Sequence, residues 1–447
     1  MTERTIIKNI SIVNEGKIIV ADVLIQGEVI EKIGIINNEQ DVKLIDGTGK
    51  FLFPGIIDGQ VHFREPGLVH KADMRSETRA AVAGGVTSFI DMPNTKPNVL
   101  TMDILNEKYK IASEKSLANY GFFLGVNGDN IDKVIQTDTS ALLGVSDDGL
   151  YFTKKGNLLA DNPEILEKLF ANCHNIIAIH SEKEQIIEEN EEFYRDQYGE
   201  NVPIECHPLI RSEKACYEAT KRAIELANKH KARLHILHLT TEAETHLFRN
   251  DIPLKDKNIT TEVSVHHLWF CDKDYKKLGA LIKWNPAIKT EKDRDGLLKA
   301  LLDDRIDIVT TDHAPHDIEE KQKPYFESMS GAPMVQHSLN IMLEFYKQGK
   351  ISLEKIAEKM CHNVASLYQI EKRGFIREGY FADLTIVDLD CRWQISKGNI
   401  LYKCGWSPLE GTFFDTKTTH TFVNGNLVYE NGILHENKMG KPLTKTT

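Results

Sequence analysis

The sequence predicts an α/β protein: a (β/α)8 barrel of the TIM type carrying a small β-sandwich domain. Three observations predict it. Short, β-branched apolar runs recur along the middle of the chain with helical patterns between them, which reads as buried parallel strands. Five of these runs end in histidine or aspartate. Barrel active sites are built from such C-terminal strand ends. Both ends of the chain instead alternate apolar and polar residues in short pieces, the pattern of a half-exposed sheet.

Taken in order, residues 5–53 alternate, with turns at Asn14-Glu15-Gly16 and Asp46-Gly47-Thr48-Gly49. The first barrel strand runs from Pro54 into His62-Phe63-Arg64-Glu65-Pro66-Gly67. Gln60 and His62, two positions apart on a strand, project to one face, with Asp58 a step behind. Thr87–Met92 and Tyr120–Val126 supply the next two strands, and Leu142–Ser146 ends in Asp147-Asp148-Gly149. Asn175–Ile179 ends in His180 and Arg233–Leu237 in His238. Ile259–Val265 follows, and Arg305–Thr311 ends in Asp312-His313-Ala314-Pro315-His316, which completes eight strands.

The charge-rich stretch at roughly 183–212 predicts a solvated helix and loop, and the segment from Glu319 to Ala332 is a candidate for a loop that closes over the site. Residues 374–433 resume the alternation, with Val423-Asn424-Gly425-Asn426 reading as a hairpin turn. Termini commonly lie close together, so 1–53 and 374–447 are expected to form one sandwich, with 54–373 as the barrel. Lys441 to Thr447 reads as a frayed tail.

Composition excludes several classes. A length of 447 residues exceeds a bare barrel of about 250, which leaves room for the second domain. The net charge of −11, without a basic cluster, argues against a nucleic-acid partner. No apolar run reaches membrane-spanning length, and Met1-Thr-Glu-Arg-Thr lacks a signal-peptide h-region, so a cytoplasmic location is expected. The seven cysteines are scattered, without a Cys-x-x-Cys pair, as fits free thiols in a reducing compartment.

The chemistry follows from the strand ends. A single strand-end histidine is commonly structural, and a single aspartate commonly caps the next helix. Here His62, Asp148, His180, His238 and Asp312 come from five strands of one barrel and would meet. Imidazole with carboxylate suits zinc or a similar divalent ion, whereas magnesium prefers an oxygen shell. Arg64 shares the inward face with His62 and offers a planar fork of donors for a carboxylate; an ion pair with Glu65 is its bland alternative.

The residues resemble the amidohydrolase superfamily and, within it, the dihydroorotase family. The matching strings are Val61-His-Phe-Arg-Glu-Pro-Gly67, Asp91-Met-Pro-Asn-Thr95, Ile179-His-Ser-Glu182, Leu237-His-Leu-Thr-Thr241, Asn285-Pro-Ala-Ile-Lys289, Thr311-Asp-His-Ala-Pro-His316 and the glycine-rich stretch from Gly374 to Asp383. The resemblance implies hydrolysis and cyclisation of a cyclic amide, between dihydroorotate and N-carbamoyl-aspartate in pyrimidine biosynthesis, with one or two zinc ions per subunit. It implies Gln60, His62 and Asp312 on one metal, His180 and His238 on the other, and Asp148 as the bridge, with Asp147 as the alternative. Lys154 and Lys155, past that strand end, are expected to face solvent.

The same resemblance implies Asp312 as the general base and Arg64, Asn94, Asn285 and His316 as substrate contacts, and leaves His266 and His267 structural. A homo-oligomer is expected, and an association with aspartate transcarbamoylase is open. Gln60 stands where the family has histidine and offers zinc a weaker ligand. That metal could be held at reduced occupancy, the site could work with one metal, or the chain could be a non-catalytic scaffold partnering aspartate transcarbamoylase. A hydantoinase or allantoinase would share the metals with less need of Arg64-Glu-Pro-Gly67.

Overall fold

A computed structural model describes residues 4–37, 42–138, 142–150 and 159–446. The N-terminal strands are β1 (Arg4–Asn14), β2 (Lys17–Gln26), β3 (Val29–Gly34), β4 (Lys43–Asp46) and β5 (Phe51–Pro54). The expected turn at Asn14-Glu15-Gly16 joins β1 to β2, with Glu15 and Gly16 at positive φ.

The middle of the chain holds β6 (Ile56–Val61), β7 (Val86–Asp91), β8 (Asn119–Phe122), β9 (Leu124–Gly125), β10 (Val145–Ser146), β11 (Ile177–Ile179), β12 (Leu234–Ile236), β13 (Ile259–Ser264) and β14 (Ile308–Thr310). Every pairing among them is parallel. Most are shorter than the apolar runs that predict them, while β7 is as long as its run. The hydrogen bonds form a three-stranded sheet, β6-β7-β8, and a six-stranded one, β9 to β14. The two meet at both edges. Phe123, between β8 and β9, donates its N–H to Asp91 O at 3.1 Å, and His62 N–H donates to His313 O at 2.8 Å across a Val61–His313 parallel bridge. Among the described residues they remain two sheets, without one continuous closed ladder.

Helices lie between the strands: α1 (Met74–Ala83), capped by Asp73, follows β6, and α2 (Met102–Lys115), capped by Thr101, follows β7. The helix Glu184–Tyr198 in the charge-rich insertion is mostly exposed, but it turns Ile187 into a small apolar cluster with Val202, Cys206, Ile210 and Tyr325.

The C-terminal strands are β15 (Leu384–Asp388), β16 (Trp393–Gln394), β17 (Phe413–Phe414), β18 (Lys417–Val423), β19 (Asn426–Glu430) and β20 (Ile433–Leu434). At the expected hairpin, Asn424 and Gly425 both take positive φ, the backbone a two-residue hairpin turn requires. A Cβ on Gly425 would lie 2.0 Å from Gly27 O, so the position admits only glycine.

Both ends of the chain do join, but as one nine-stranded sheet, β20-β19-β18-β15-β5-β1-β2-β3 with β4 beside β1, and not as two separately bonded layers. β5 makes the connection, running parallel to β1 and antiparallel to β15. The sheet closes on an apolar interior of its own that includes Ile7, Ile12, Val23, Leu52, Leu384, Ile386 and Phe422.

The frayed tail expected at the C-terminus is corrected through Thr446. Lys441 O accepts Tyr120 N–H at 3.0 Å, Leu443 N–H donates to Tyr120 O at 2.8 Å, and Thr446 N–H donates to Gln369 O at 2.8 Å, with Leu443 buried. Backbone bonds and one apolar anchor hold a segment whose composition carries no such signal.

Candidate metal centre

Each predicted ligand leaves the C-terminal end of a parallel strand. Gln60 lies on β6 and His62 just past it; Asp148 follows β10, His180 follows β11, His238 follows β12 and Asp312 follows β14. All six are buried. Their ligating atoms form two groups in which every atom lies within 4.8 Å of the others: His62, Asp148 and Asp312, and Asp148, His180 and His238.

Asp148 belongs to both. Its Oδ2 is 3.2 Å from His62 Nε2, and its Oδ1 is 3.7 Å from His180 Nδ1 and 3.8 Å from His238 Nε2. Asp147 turns away and accepts the N–H groups of Leu159 at 2.7 Å and His180 at 3.0 Å. Gly149 lets Asp148 approach, because a Cβ there would sit 2.0 Å from Asn94 Nδ2. Lys154 and Lys155 lie outside the described residues.

The two groups are built differently. In the first, His62 Nε2 is 3.1 Å from Asp312 Oδ1 and His62 Nδ1 is 2.7 Å from Asn94 Oδ1. Among the described residues, Gln60 reaches this group only as a donor, Nε2 to Asp148 Oδ2 at 3.1 Å, and its buried Oε1 has no partner. In the second, His180 Nδ1 is 3.1 Å from His238 Nε2. His180 Nε2 lies 2.7 Å from Glu182 Oε2, and Glu182 is itself paired with Arg211. A carboxylate on one ring nitrogen puts the proton there and leaves the other nitrogen free to ligate.

The charges are mutually dependent. Burial alone would raise the Asp148 carboxyl, but His180, His238 and His62 hold it well below the usual range. Burial disfavours the His62 imidazolium, yet Asp148 and Asp312 push it up to about 9. His180 also rises to about 9, against burial, through Asp148 and Glu182. Asp312 is raised by burial, with His62 opposing.

Backbone strain collects here too. Arg64 (φ 66°), His238 (φ 36°) and Asp312 (φ 43°) take the left-handed conformation without being glycine. Each costs about 1 kcal/mol or more, and the surrounding packing maintains it.

The substrate-type residues converge on the same place. A narrow pocket is lined by His62, Arg64, Asn94, Asp148, Asn285 and Asp312, with Gly149, Trp284, Ala314, Ser330 and Gly331. His316 stands behind Arg64, its Nε2 3.1 Å from Arg64 Nη2, while Arg64 Nε donates to Pro315 O at 3.2 Å. Glu65 does not pair with Arg64; it holds Lys115 and accepts Met74 N–H at 2.9 Å. Ser330 and Gly331 come from the expected covering segment, which Lys321 Nζ fastens by donating to Met329 O at 2.7 Å and Gly331 O at 2.8 Å. His266 stacks on Trp284 and His267 Nε2 bonds Pro286 O at 3.2 Å, so neither joins the ligand groups.

Residues 51–428 match the model of the amidohydrolase family. The chain belongs to that family. It is similar to the dihydroorotases of Pyrococcus furiosus, 31% identical with 96% of this chain and 94% of the relative covered, and of Carboxydothermus hydrogenoformans, 30% identical with 94% and 96% covered. Its fold resembles the L-hydantoinase (dihydropyrimidinase) from Arthrobacter aurescens, with a TM-score of 0.92 and 24% identity over the whole of both chains. It also resembles the dihydropyrimidinase from Brevibacillus agri, with a TM-score of 0.84 and 23% identity over 96% of each chain.

The donors of this amidohydrolase fit a divalent cation. Two buried sets of imidazole and carboxylate atoms converge, and one carboxylate is common to both. Sequence reasoning missed two neighbours of the site. Glu182, two residues beyond His180, gave a faint signal as a carboxylate in the same string; Lys71, which lies against His316, gave none.

Proposed function

We propose that this chain is a dihydroorotase, a metal-dependent cyclic amidase that interconverts dihydroorotate and N-carbamoyl-aspartate. The observation that carries the reading is the buried Arg64, which is backed by His316 and lines one pocket with Asn94 and with His62, Asp148 and Asp312 of the first ligand group. A neutral cyclic amide has no use for a buried guanidinium, whereas a ring carboxylate does. With β8 and β9 taken as the one run Tyr120–Val126, the two parallel sheets are read as two arcs of one eight-stranded barrel, and residues 1–53 with 374–447 as its companion domain.

His62, Asp148 and Asp312, and Asp148, His180 and His238, would each hold a zinc ion, which would supply Lewis acidity toward the amide carbonyl and hydroxide at neutral pH. Arg64, Asn94 and His316 bind the substrate carboxylate and so orient the scissile carbonyl. Asp312 accepts the proton of the attacking water and delivers it to the departing ring nitrogen.

The test is ring opening of dihydroorotate beside dihydrouracil, hydantoin and allantoin, by wild type and Gln60→His at varied zinc. Turnover restricted to dihydroorotate supports the reading, and preference for a neutral ring assigns the chain to the hydantoinase type. No turnover and no bound metal in either protein would leave the scaffold. Arg64→Ala should raise KM for dihydroorotate about tenfold or more; an unchanged KM would remove Arg64 from the carboxylate.

A further inference from the structure

We propose that Lys108 is a positioning residue: it holds the Asp91 carboxylate and so leaves the Arg64 guanidinium free for the carboxylate of the substrate. The inference deepens the dihydroorotase reading and rests on it for the identity of the anion. Arg64 is buried, and it donates through Nε to Pro315 O at 3.2 Å and through Nη2 to His316 Nε2 at 3.1 Å. Neither acceptor is a carboxylate. Yet carboxylates surround it: burial lowers the pKa of Arg64, and Asp312, Asp91, Glu320 and Asp148 oppose that shift.

Each of the four is engaged elsewhere. Asp312 and Asp148 belong to the ligand groups, and Glu320 Oε1 lies 2.8 Å from Lys71 Nζ. Asp91 Oδ2 lies 2.8 Å from Lys108 Nζ, and both side chains are shut off from solvent. Asp91 is outside both ligand groups, so its restraint rests on Lys108.

The pair lies beside the backbone of both carboxylate-binding residues. Asp91 closes β7, and its Oδ1 accepts the N–H of Phe63, the residue before Arg64, at 3.0 Å. Lys108 projects from α2 and also donates to Met92 O at 3.0 Å, two residues before Asn94. A buried carboxylate that loses its cation is costly to leave unpaired, so with a neutral side chain at 108 Asp91 turns to Arg64. That internal ion pair then competes with the substrate for one guanidinium. With positions 91 and 108 both neutral, no competitor remains.

The experiment compares the zinc-loaded full chain with Lys108→Met, Asp91→Asn and the double variant. Lys108→Met should raise KM for dihydroorotate about tenfold with kcat within about twofold, and the double variant should return KM to within about twofold of wild type. Asp91→Asn alone should not raise it. If Lys108→Met fails to fold, Lys108→Gln, which keeps N–H donors without the charge, should raise KM in its place. The same order is read without turnover from the Arg64 Nε–H signal of nitrogen-15 arginine protein, assigned by comparison with Arg64→Lys and titrated with acetate. A brace acting through shape alone would raise KM as much in the double variant as in Lys108→Met, since both lose the bond to Met92 O, and that result overturns the inference. A rise in Asp91→Asn, or an unchanged KM and acetate midpoint in the Lys108 variants, overturns it as well. Wild type that is inert toward dihydroorotate while Arg64 answers acetate in the expected order supports the Lys108 assignment and overturns the functional reading.

Discussion

The two halves of the metal centre share Asp148 and little else. The half with His180 and His238 presents two imidazole nitrogens 3.1 Å apart, one ring buttressed by Glu182. The half with His62 and Asp312 has one imidazole, one carboxylate and, from Gln60, an amide that donates to Asp148. Imidazole is the better zinc donor and a fixed tautomer improves it further, so the half with His180 and His238 offers zinc the stronger donor set. The difference teaches that two donor sets joined through one carboxylate need not match, one carrying an amide where the other carries a second imidazole.

The strongest way to break this contrast is Asp312→Asn. If Asp312 is the proton carrier, kcat should fall by about a hundredfold to ten-thousandfold while metal stays in the two-imidazole half. Near-normal turnover would take the base role away. Next in size is pH. Neighbouring carboxylates push His62 and His180, one ring in each half, up to about 9 against burial, so in protein stripped by a chelator both should titrate above the ordinary imidazole range. Their raised pKa stabilises the stripped fold fully below the ordinary value of about 6.5, and that stability is lost as pH rises through about 9. Zinc needs both rings deprotonated, so uptake at neutral pH should release protons and tighten as pH rises toward 9. Calorimetry in buffers of different ionisation enthalpy reads this directly, and zero proton release would contradict it.

Smaller effects separate the halves. Glu182→Gln should weaken metal binding by about tenfold to a hundredfold, confined to the half that contains His180; a loss spread over both would merge the two sites. The smallest expected change is Gln60→His, which should raise metal content by at most about one ion per chain by elemental analysis. No change in a protein that already holds two ions would mean that Gln60 leaves the weaker half fully occupied.

The strand ends explain how much of this was legible beforehand. His62, Asp148, His180, His238 and Asp312 could be placed together because each closes an apolar run, and parallel strands deliver their ends to one face. The hairpin at Asn424-Gly425 was legible because both residues tolerate positive φ. Lys71 was not, since it lies in a loop and meets His316 across 245 positions of sequence. The C-terminal tail was misjudged for a similar reason: its hold on Tyr120 and Gln369 depends on backbone groups that no composition reveals.

By itself, then, the sequence determined the order of parallel strands, the residue types gathered at their ends and the joining of the two ends, because apolar period and residue chemistry are local properties. Only the tertiary structure decided that Asp148 and not Asp147 faces both halves, that Glu65 leaves Arg64 to the pocket, and that Gln60 donates to Asp148. Those choices turn on partners far away in sequence, such as Leu159 and His180 for Asp147, Lys115 for Glu65 and Asp148 for Gln60, which packing brings together.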